Sequence, residues 1–204
     1  MKEIHVIIFD LGGVLIDWNP KYVFDEHYFD SVTKRDHFLE HICTLDWNEQ
    51  QDAGYPIAKA VEEKVAAFPE WEKAIRDYYD RWPDMLKGPI GETVEIFREL
   101  KKKKGLKFYA LTNWSAELFP IALERYDFLH WFDGIVVSGV EKMRKPSPGF
   151  YKLLLERYDL KEGDVIFIDD NLRNIKAAEA LGFKSVHFQF AGQLKEVLAK
   201  MDLL

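Results

Sequence analysis

Near its N-terminus the sequence reads Ile7-Ile8-Phe9-Asp10-Leu11-Gly12-Gly13-Val14-Leu15, an apolar run that ends abruptly in a carboxylate. The run from Ile4 to Phe9 is short and rich in β-branched residues, which predicts a central parallel strand covered on both faces. Two glycines follow closely, so the backbone can turn sharply there and expose its amide groups. This pattern is typical of a buried strand that delivers one reactive acid to a loop. Asp and Gly after a strand also form ordinary turns, and the other strands must decide between the two interpretations.

Length and composition limit the class of protein. A chain of 204 residues, 48% hydrophobic and 15% aromatic, can bury one substantial core with a smaller satellite domain. The net charge of −7 argues against nucleic acid or an anionic membrane as partner, because both require a basic face. Cys43 is the only cysteine, which excludes a disulfide framework or a cysteine-based zinc site within one chain. No apolar run approaches the roughly 20 residues that span a bilayer, and Met1-Lys2-Glu3 leads into the first strand without a signal peptide. We therefore expect a cytoplasmic protein that is a monomer or a weak homodimer.

Two regions of different character divide the chain. Residues 17–87 scatter aromatic side chains among charges without strand-like alternation, and Gly54-Tyr55-Pro56, Pro69 and Pro83 interrupt them. This pattern predicts a helical cap domain built from several short helices. Residues 88–204 alternate between apolar runs and amphipathic helical patterns. Together with residues 1–16 they predict an α/β core domain, a doubly wound parallel sheet of the Rossmann-like kind.

Three of the predicted strands end in polar residues: Asp10, Thr112-Asn113 and Asp169-Asp170. In an open parallel sheet these ends gather at one edge, where ligands bind in the crevice beyond the strands. Three carboxylates brought this close repel one another unless a cation neutralises them. Oxygen ligands without histidine or cysteine favour a hard ion, so Asp10, Asp169 and Asp170 predict a Mg²⁺ site. An acidic pair at the start of a helix also complements the helix dipole, which is the alternative explanation of Asp169-Asp170 taken alone.

The same edge is suited to phosphate. The Thr112 hydroxyl and the Asn113 amide precede a helix and can hydrogen-bond phosphate oxygens, and the amides of Leu11-Gly12-Gly13 would add a small anion nest. Lys145 lies in Arg144-Lys145-Pro146-Ser147-Pro148, where two prolines stiffen the segment and fix the direction of the amine. A single lysine is usually a surface charge. The position of Lys145 in a loop just before a helix sets it apart.

These residues resemble the motifs of the haloacid dehalogenase superfamily of phosphatases. Four motifs occur in order along almost the whole chain: Phe9-Asp10-Leu11-Gly12-Gly13-Val14, Leu111-Thr112-Asn113, Lys145-Pro146 and Ile168-Asp169-Asp170-Asn171. The helical insertion is similar to the small cap of the superfamily's first subclass. The details are similar to glucose-1-phosphate phosphatase-like members.

The resemblance implies Mg²⁺-dependent hydrolysis of a small phosphate monoester, a sugar phosphate among the candidates, so the expected partner is a small phosphorylated metabolite. Asp10 would be the nucleophile that accepts the phosphoryl group as an aspartyl phosphate. Thr112 and Asn113 would bind the phosphate, and Lys145 would hold nucleophile and phosphate together. The contacts from Thr112 and Asn113 and the contact from Lys145 would stabilise the charge that spreads over the phosphoryl oxygens in the transition state.

The metal site implied by the resemblance has Mg²⁺ bound by Asp10, Asp170 and the backbone carbonyl of Gly12. Asp169 would be an auxiliary acid near the metal. Asn174, one helical turn beyond Asp170, would orient these ligands.

One position departs from the family's pattern. Most phosphatases of the superfamily carry a second Asp two residues after the nucleophile, where this chain has Gly12. The side chain that usually acts as general acid and base is therefore missing. General acid–base catalysis accelerates a reaction by about 10² to 10⁴-fold. In one interpretation Asp17 or a cap residue supplies the proton. In a second, the protein is a weakly active or inactive phosphometabolite-binding or regulatory module. In a third it is a 2-haloacid dehalogenase, which Asp169-Asp170 disfavours because dehalogenases need no metal.

The leaving group of the substrate would be selected by the cap, which also excludes water when it closes. The candidates that face inward are Trp18, Trp47, Asn48 and Trp114, because an aromatic face can stack on a sugar and an amide can bond its hydroxyls. Packing within the cap or at its hinge is the alternative role for each of them.

Overall fold

The computed structural model of the protein describes residues 4–204. Five strands form a parallel central sheet: β1 (Val6–Phe9), β4 (Lys107–Thr112), β5 (Gly134–Val137), β6 (Val165–Asp169) and β7 (Lys184–His187). Their order is β5–β4–β1–β6–β7, with helices on both faces, so the predicted doubly wound α/β fold is confirmed. Met1-Lys2-Glu3, for which the sequence predicts no signal peptide, lie outside the described residues.

The central strand β1 is buried on both faces, as its apolar sequence predicts. Ile7 and Phe9 join one hydrophobic cluster, with the helices α6 (Gly91–Leu100) and α11 (Ala191–Lys200). Val6 and Ile8 join a second cluster, with α9 (Pro148–Arg157) and α10 (Leu172–Ala180). Successive side chains of a strand point to opposite faces, and this alternation explains the division. The sheet is therefore fixed from both sides, which gives the strand ends a rigid base.

A helical insertion separates β2 (Ile16–Trp18) from β3 (Leu86–Pro89). Its helices are α1 (Glu26–Phe29), α2 (Val32–His37), α3 (Leu45–Asp52), α4 (Ile57–Ala67) and α5 (Glu72–Asp80). Large side chains fill its interior, where the rings of Phe24 and Phe38 lie 4.8 Å apart and Tyr78 is fully buried. Two further helices, α7 (Phe119–Arg125) and α8 (Ser138–Glu141), belong to the region after β3. Within residues 4–204, none of the helices combines the length and apolar character needed to cross a membrane.

The sequence did not reveal β2 and β3. They pair in antiparallel fashion, with Asp17 opposite Gly88, and they are too short for an alternating pattern to stand out. Gly88 and Pro89 are also residues that weaken a strand pattern. The predicted domain boundaries, after residue 16 and before residue 88, fall inside this pair. The division into a core domain (1–16 and 88–204) and a cap domain (17–87) remains a prediction.

Candidate active site

Three adjacent strands, β4, β1 and β6, bring the predicted polar residues to one edge of the sheet. Thr112 and Asp169 are the last residues of β4 and β6, and Asp10 follows β1, where its backbone N–H donates to the Ile168 carbonyl at 2.8 Å. One carboxylate oxygen each of Asp10, Asp169 and Asp170 lies within 4.8 Å of the others. The residues that the sequence predicted to converge therefore do lie together.

Lys145 is fully buried among these acids. Its Nζ atom lies 2.9 Å from Asp10 Oδ1 and 2.7 Å from Asp169 Oδ2. Burial alone would lower the pKa of the Lys145 amine, but the carboxylates of Asp10 and Asp169 outweigh it and raise the pKa above its ordinary value. Lys145 is therefore a permanent cation in the centre of the site.

Asp169 has its oxygens occupied by neighbouring donors. The Asn171 backbone N–H donates to Oδ1 at 2.7 Å, and Asn174 Nδ2 lies 3.1 Å and 3.0 Å from Oδ1 and Oδ2. The Tyr151 hydroxyl donates to the Asn174 carbonyl and helps to fix that residue. Asn174 thus orients Asp169, and Asp169 in turn holds Lys145. These contacts leave the carboxylates of Asp10 and Asp170 as the better-placed candidates for metal binding in the acidic cluster.

Asp10 is held by one of its two oxygens. Oδ1 accepts the Leu11 backbone N–H at 2.7 Å and contacts Lys145, whereas no donor among residues 4–204 is bonded to Oδ2. Burial raises the pKa of the Asp10 carboxyl to about 7, and the charges of Asp169 and Asp170 add to this rise, while Lys145 opposes it. A second cation would relieve this repulsion.

The donor set fits a hard divalent cation. It offers carboxylate oxygens without a nitrogen or sulfur ligand, which is the set that suits Mg²⁺. Gly13 makes the cluster possible, since its φ of +74° favours glycine and a Cβ atom there would lie 2.3 Å from Asp170 Oδ2. Asp170 can therefore approach the turn after Asp10 only because position 13 has no side chain.

The two residues predicted to bind phosphate, Thr112 and Asn113, differ in whether their side chains already have hydrogen-bond partners. Thr112 is fully buried, and its hydroxyl has no partner within residues 4–204, as expected of a group that awaits a ligand. The Asn113 side chain instead spans to the backbone of Lys145, accepting from its N–H at 2.9 Å and donating to its carbonyl at 3.0 Å. It fixes the Lys145 loop and keeps one amide hydrogen for an anion.

The predicted anion nest is smaller than the sequence suggests. The Leu11 N–H donates to Asp10 Oδ1, and the Gly13 N–H donates to the Ile16 carbonyl at 2.9 Å. The Gly12 N–H has no backbone or side-chain acceptor within the described part of the chain. Asp10 and Ile16 thus accept the other two amides, so Gly12 is the one of these three residues whose N–H is open to an anion in the described part of the chain.

A cavity of about 80 Å³ lies beside this turn. Core and insertion both contribute to its wall, which is formed by Gly12, Trp18, Asn48, Asp52, Trp82, Asn113 and Trp114. The indole N–H groups of Trp18 and Trp114 are buried and have no acceptor within residues 4–204. Three of the predicted cap-side candidates, Trp18, Asn48 and Trp114, thus share one cavity.

Two other predicted residues lie elsewhere. Trp47 packs its ring against Tyr78 and Tyr79 at 5.5 Å and 5.4 Å, inside the helical insertion, and does not line this cavity. Helix α3 turns it away because Trp47 and Asn48 are neighbours on a helix and point in different directions. Asp17 is also absent from the cavity wall and accepts a hydrogen bond from the Tyr22 hydroxyl.

Asp52 is a functional candidate that the sequence analysis missed. It is the last residue of α3, and its carboxylate accepts a hydrogen bond from Asn48 Nδ2 at 3.0 Å. Burial and the charge of Glu49 raise the pKa of the Asp52 carboxyl to about 7, although the Ser115 backbone N–H and Arg144 oppose the rise. The available signal was its spacing, because a residue four positions after Asn48 lies on the same helix face.

The family model for haloacid dehalogenase-like hydrolases matches residues 4–182. The chain belongs to this family. A sesquiterpene phosphatase, astK of Aspergillus oryzae, is 31% identical over 88% of this chain and 87% of its own length. A phosphorylated carbohydrates phosphatase of Thermotoga maritima is 25% identical over 89% of this chain and 83% of its own length.

Solved structures share the fold. A haloacid dehalogenase family enzyme of Bacteroides thetaiotaomicron, in complex with magnesium and inorganic phosphate, superposes with a TM-score of 0.69 at 21% identity. The match covers 92% of this chain and 95% of that one. The membership predicted from the four motifs is confirmed, and with it the class of phosphoric monoester hydrolase, because full-length relatives in the family are phosphatases.

Proposed function

We propose that this haloacid dehalogenase-like hydrolase is a Mg²⁺-dependent phosphatase that hydrolyses a small phosphate monoester through an aspartyl phosphate on Asp10. The observation that carries the proposal is the state of Asp10. Lys145 and the Leu11 amide hold Oδ1 in place, and Oδ2 accepts no hydrogen bond among residues 4–204. A carboxylate fixed by one oxygen and free at the other is suited to in-line attack on phosphorus.

The surrounding groups would divide the charge of the transition state. Mg²⁺ bound by Asp10 and Asp170 would neutralise charge on the phosphoryl oxygens and lower the pKa of Asp10, so that the nucleophile is ionised. Lys145 would contact another of these oxygens, and the Thr112 hydroxyl and Gly12 N–H are donors that await an acceptor. Gly12 also remains the proposed source of a backbone carbonyl ligand for the metal.

The substrate is proposed to carry a small polar leaving group. The cavity beside Gly12 is small, with a volume of about 80 Å³. Two buried indole N–H groups and the amide of Asn48 make its wall rich in hydrogen-bond donors. Such a cavity favours a sugar-like or hydroxy-acid phosphate, in the manner of the Thermotoga relative, over the terpene phosphate that the Aspergillus relative's name indicates.

A substrate screen tests this function. Purified protein is assayed with sugar phosphates, phosphoglycolate, a terpenyl phosphate and 4-nitrophenyl phosphate, each with Mg²⁺ and with EDTA. Release of inorganic phosphate only with Mg²⁺, preferentially from the small polar esters, is the expected result. Preference for the terpenyl ester would contradict the proposed substrate class but not the phosphatase activity.

The same preparation distinguishes the alternatives. Phosphosugar binding in calorimetry without turnover of any ester would favour a binding or regulatory module. Halide release from 2-chloropropionate in EDTA would favour a dehalogenase. Asp10→Asn is expected to abolish phosphate release while the circular dichroism spectrum is unchanged, and retained turnover would rule out Asp10 as the nucleophile.

A further inference from the structure

The cavity beside the nucleophile has space where an acidic side chain would be expected from the family's usual pattern. A Cβ atom built on Gly12 would meet no heavy atom within 4 Å, apart from its chain neighbours. Gly12 and Asp52 both line this cavity, Gly12 from the turn after Asp10 and Asp52 from helix α3 of the insertion. One wall therefore lacks a carboxyl group, and another wall supplies one.

We propose that Asp52 is the general acid and base of the reaction, acting from the helical insertion in place of a side chain at position 12. The inference rests on the phosphatase function proposed above and adds the group that moves the proton. Asp17, the candidate from the sequence, does not line the cavity and is engaged by the Tyr22 hydroxyl.

Asp52 alone can donate and accept the proton that the two steps of the reaction require. In the first step Asp10 attacks phosphorus, the bond from phosphorus to the leaving oxygen breaks, and that oxygen takes the proton of the Asp52 carboxylic acid. In the second step water attacks the aspartyl phosphate and gives a proton to the Asp52 carboxylate. The bond between phosphorus and Asp10 then breaks, which releases inorganic phosphate and restores both side chains.

The environment of Asp52 suits a group that alternates between two protonation states. The charged and titratable groups that face it are Glu49 on α3, Tyr78 and Tyr79 on α5, and Arg144 from the loop before α9. Glu49 and burial favour the neutral acid, whereas Arg144 and the Ser115 N–H favour the carboxylate. With a pKa near neutrality, both forms are accessible at the pH of the cell interior.

Contacts between α3 and the core hold Asp52 at the cavity. Glu49, one turn earlier, forms ion pairs with Arg144 at 2.6 Å and with Arg173 on α10. The Ser138 hydroxyl donates to the backbone carbonyl of Asp52 from the start of α8. Arg144 directly precedes Lys145, and Arg173 directly precedes Asn174 on α10, so the ion pairs of Glu49 attach the insertion beside these two residues.

The test compares Asp52→Asn with Asp46→Asn, the same change at an exposed position of the same helix. With an alkyl phosphate, whose leaving group needs a proton, kcat of Asp52→Asn is expected to fall about 10² to 10⁴-fold, and Asp46→Asn should match the wild type. With 4-nitrophenyl phosphate, whose leaving group needs none, the first step persists and hydrolysis of the intermediate slows. A stoichiometric burst of nitrophenolate followed by slow turnover is therefore expected.

A second site variant strengthens the test. Because position 12 has open space, Gly12→Asp in the Asp52→Asn background is expected to restore part of the lost rate. Equal rates of Asp52→Asn and Asp46→Asn on the alkyl ester would overturn the role of Asp52 and leave the phosphatase function intact. A wild type inactive on every ester would overturn both.

Should Asp52→Asn fail to fold, the wild-type protein still decides the question. Its single-turnover rates with a series of alkyl phosphates are expected to depend weakly on the leaving-group pKa, because the leaving oxygen takes a proton from the general acid. A steep dependence would show that the leaving oxygen departs unprotonated and would overturn the proposal.

Discussion

Replacing Asp10 by Asn is expected to stabilise the protein without divalent cations while it abolishes turnover. Asp10 has a pKa of about 7 in the folded protein, against an ordinary value of 3.8. The folded state therefore holds this proton more tightly than the unfolded chain does. The associated stability is fully present below pH 3.8 and is lost as the pH rises through about 7. Asn at this position carries no charge, so the variant does not lose stability through ionisation of residue 10 as the pH rises.

The size of the effect follows from the two pKa values. At about 1.4 kcal/mol for each tenfold change in proton affinity, full ionisation of Asp10 in the folded protein costs about 4 kcal/mol. About 2 to 3 kcal/mol of this develops between about pH 5 and about pH 8. The stability advantage of Asp10→Asn over the wild type should grow by that amount across this range.

Urea unfolding in EDTA at both pH values measures this difference. Asp52 titrates in the same range, but it is present in both proteins and cancels in the comparison. Asp46→Asn, an exposed change on α3, is the control and should differ equally from the wild type at both pH values. A constant advantage of Asp10→Asn would refute the reasoning, because it would mean that Asp10 ionises in the folded protein without penalty.

Three other substitutions test separate parts of the site. Gly13→Ala should abolish stabilisation by Mg²⁺ and lower the unfolding free energy by about 1 to 3 kcal/mol, because its Cβ would meet Asp170. Gly12→Ala is the matched control, since a Cβ atom at position 12 has open space. Equal effects of the two variants in thermal melts with Mg²⁺ would contradict the close approach of Asp170 to Gly13. Lys145→Met should lower the unfolding free energy by about 3 to 5 kcal/mol in urea titrations, since it leaves Asp10 and Asp169 buried without their cation; a loss below 1 kcal/mol would argue that these acids are already neutral. Glu49→Gln should cost about 1 kcal/mol, and less at high salt, with Glu124→Gln as the exposed control. A salt-independent loss measured by urea unfolding would speak against the ion pairs with Arg144 and Arg173.

Sequence reasoning located the groups whose position depends on topology. Asp10, Thr112 and Asp169 end strands that are neighbours in the sheet, and parallel strands necessarily bring such ends to one edge. Lys145 was identified through the two prolines that follow it and through its motif, and the structure brings its amine between two acids. The convergence of Asp10, Thr112 and Asp169 needs only strand order and the direction of the chain.

The remaining features depend on packing between distant segments. Asp52 reaches the cavity because α3 is oriented by ion pairs to Arg144 and Arg173, which lie far along the chain and have no local signal. Trp47 and Asn48 are adjacent in sequence, yet only the second faces the cavity. The Leu11 N–H donates to the carboxylate of the preceding residue, Asp10, a local competition that the sequence does not show. Which acceptor a donor bonds to, and which helix face lines the cavity, depend on tertiary contacts that the sequence does not reveal.

The antiparallel pair β2–β3 brings the two ends of the helical insertion side by side, with Asp17 opposite Gly88. The helical insertion is thus a long loop whose two ends are already held together by the pairing of β2 with β3. The entropy of closing a loop grows only slowly with its length, by about 0.6 kcal/mol for each doubling. Helices of other lengths and sequences can accordingly be inserted at this point with little effect on the strand order beneath. Under the proposed function, the preference for one leaving group over another would therefore change through α3 and its neighbours, while Asp10 and Lys145 keep their positions.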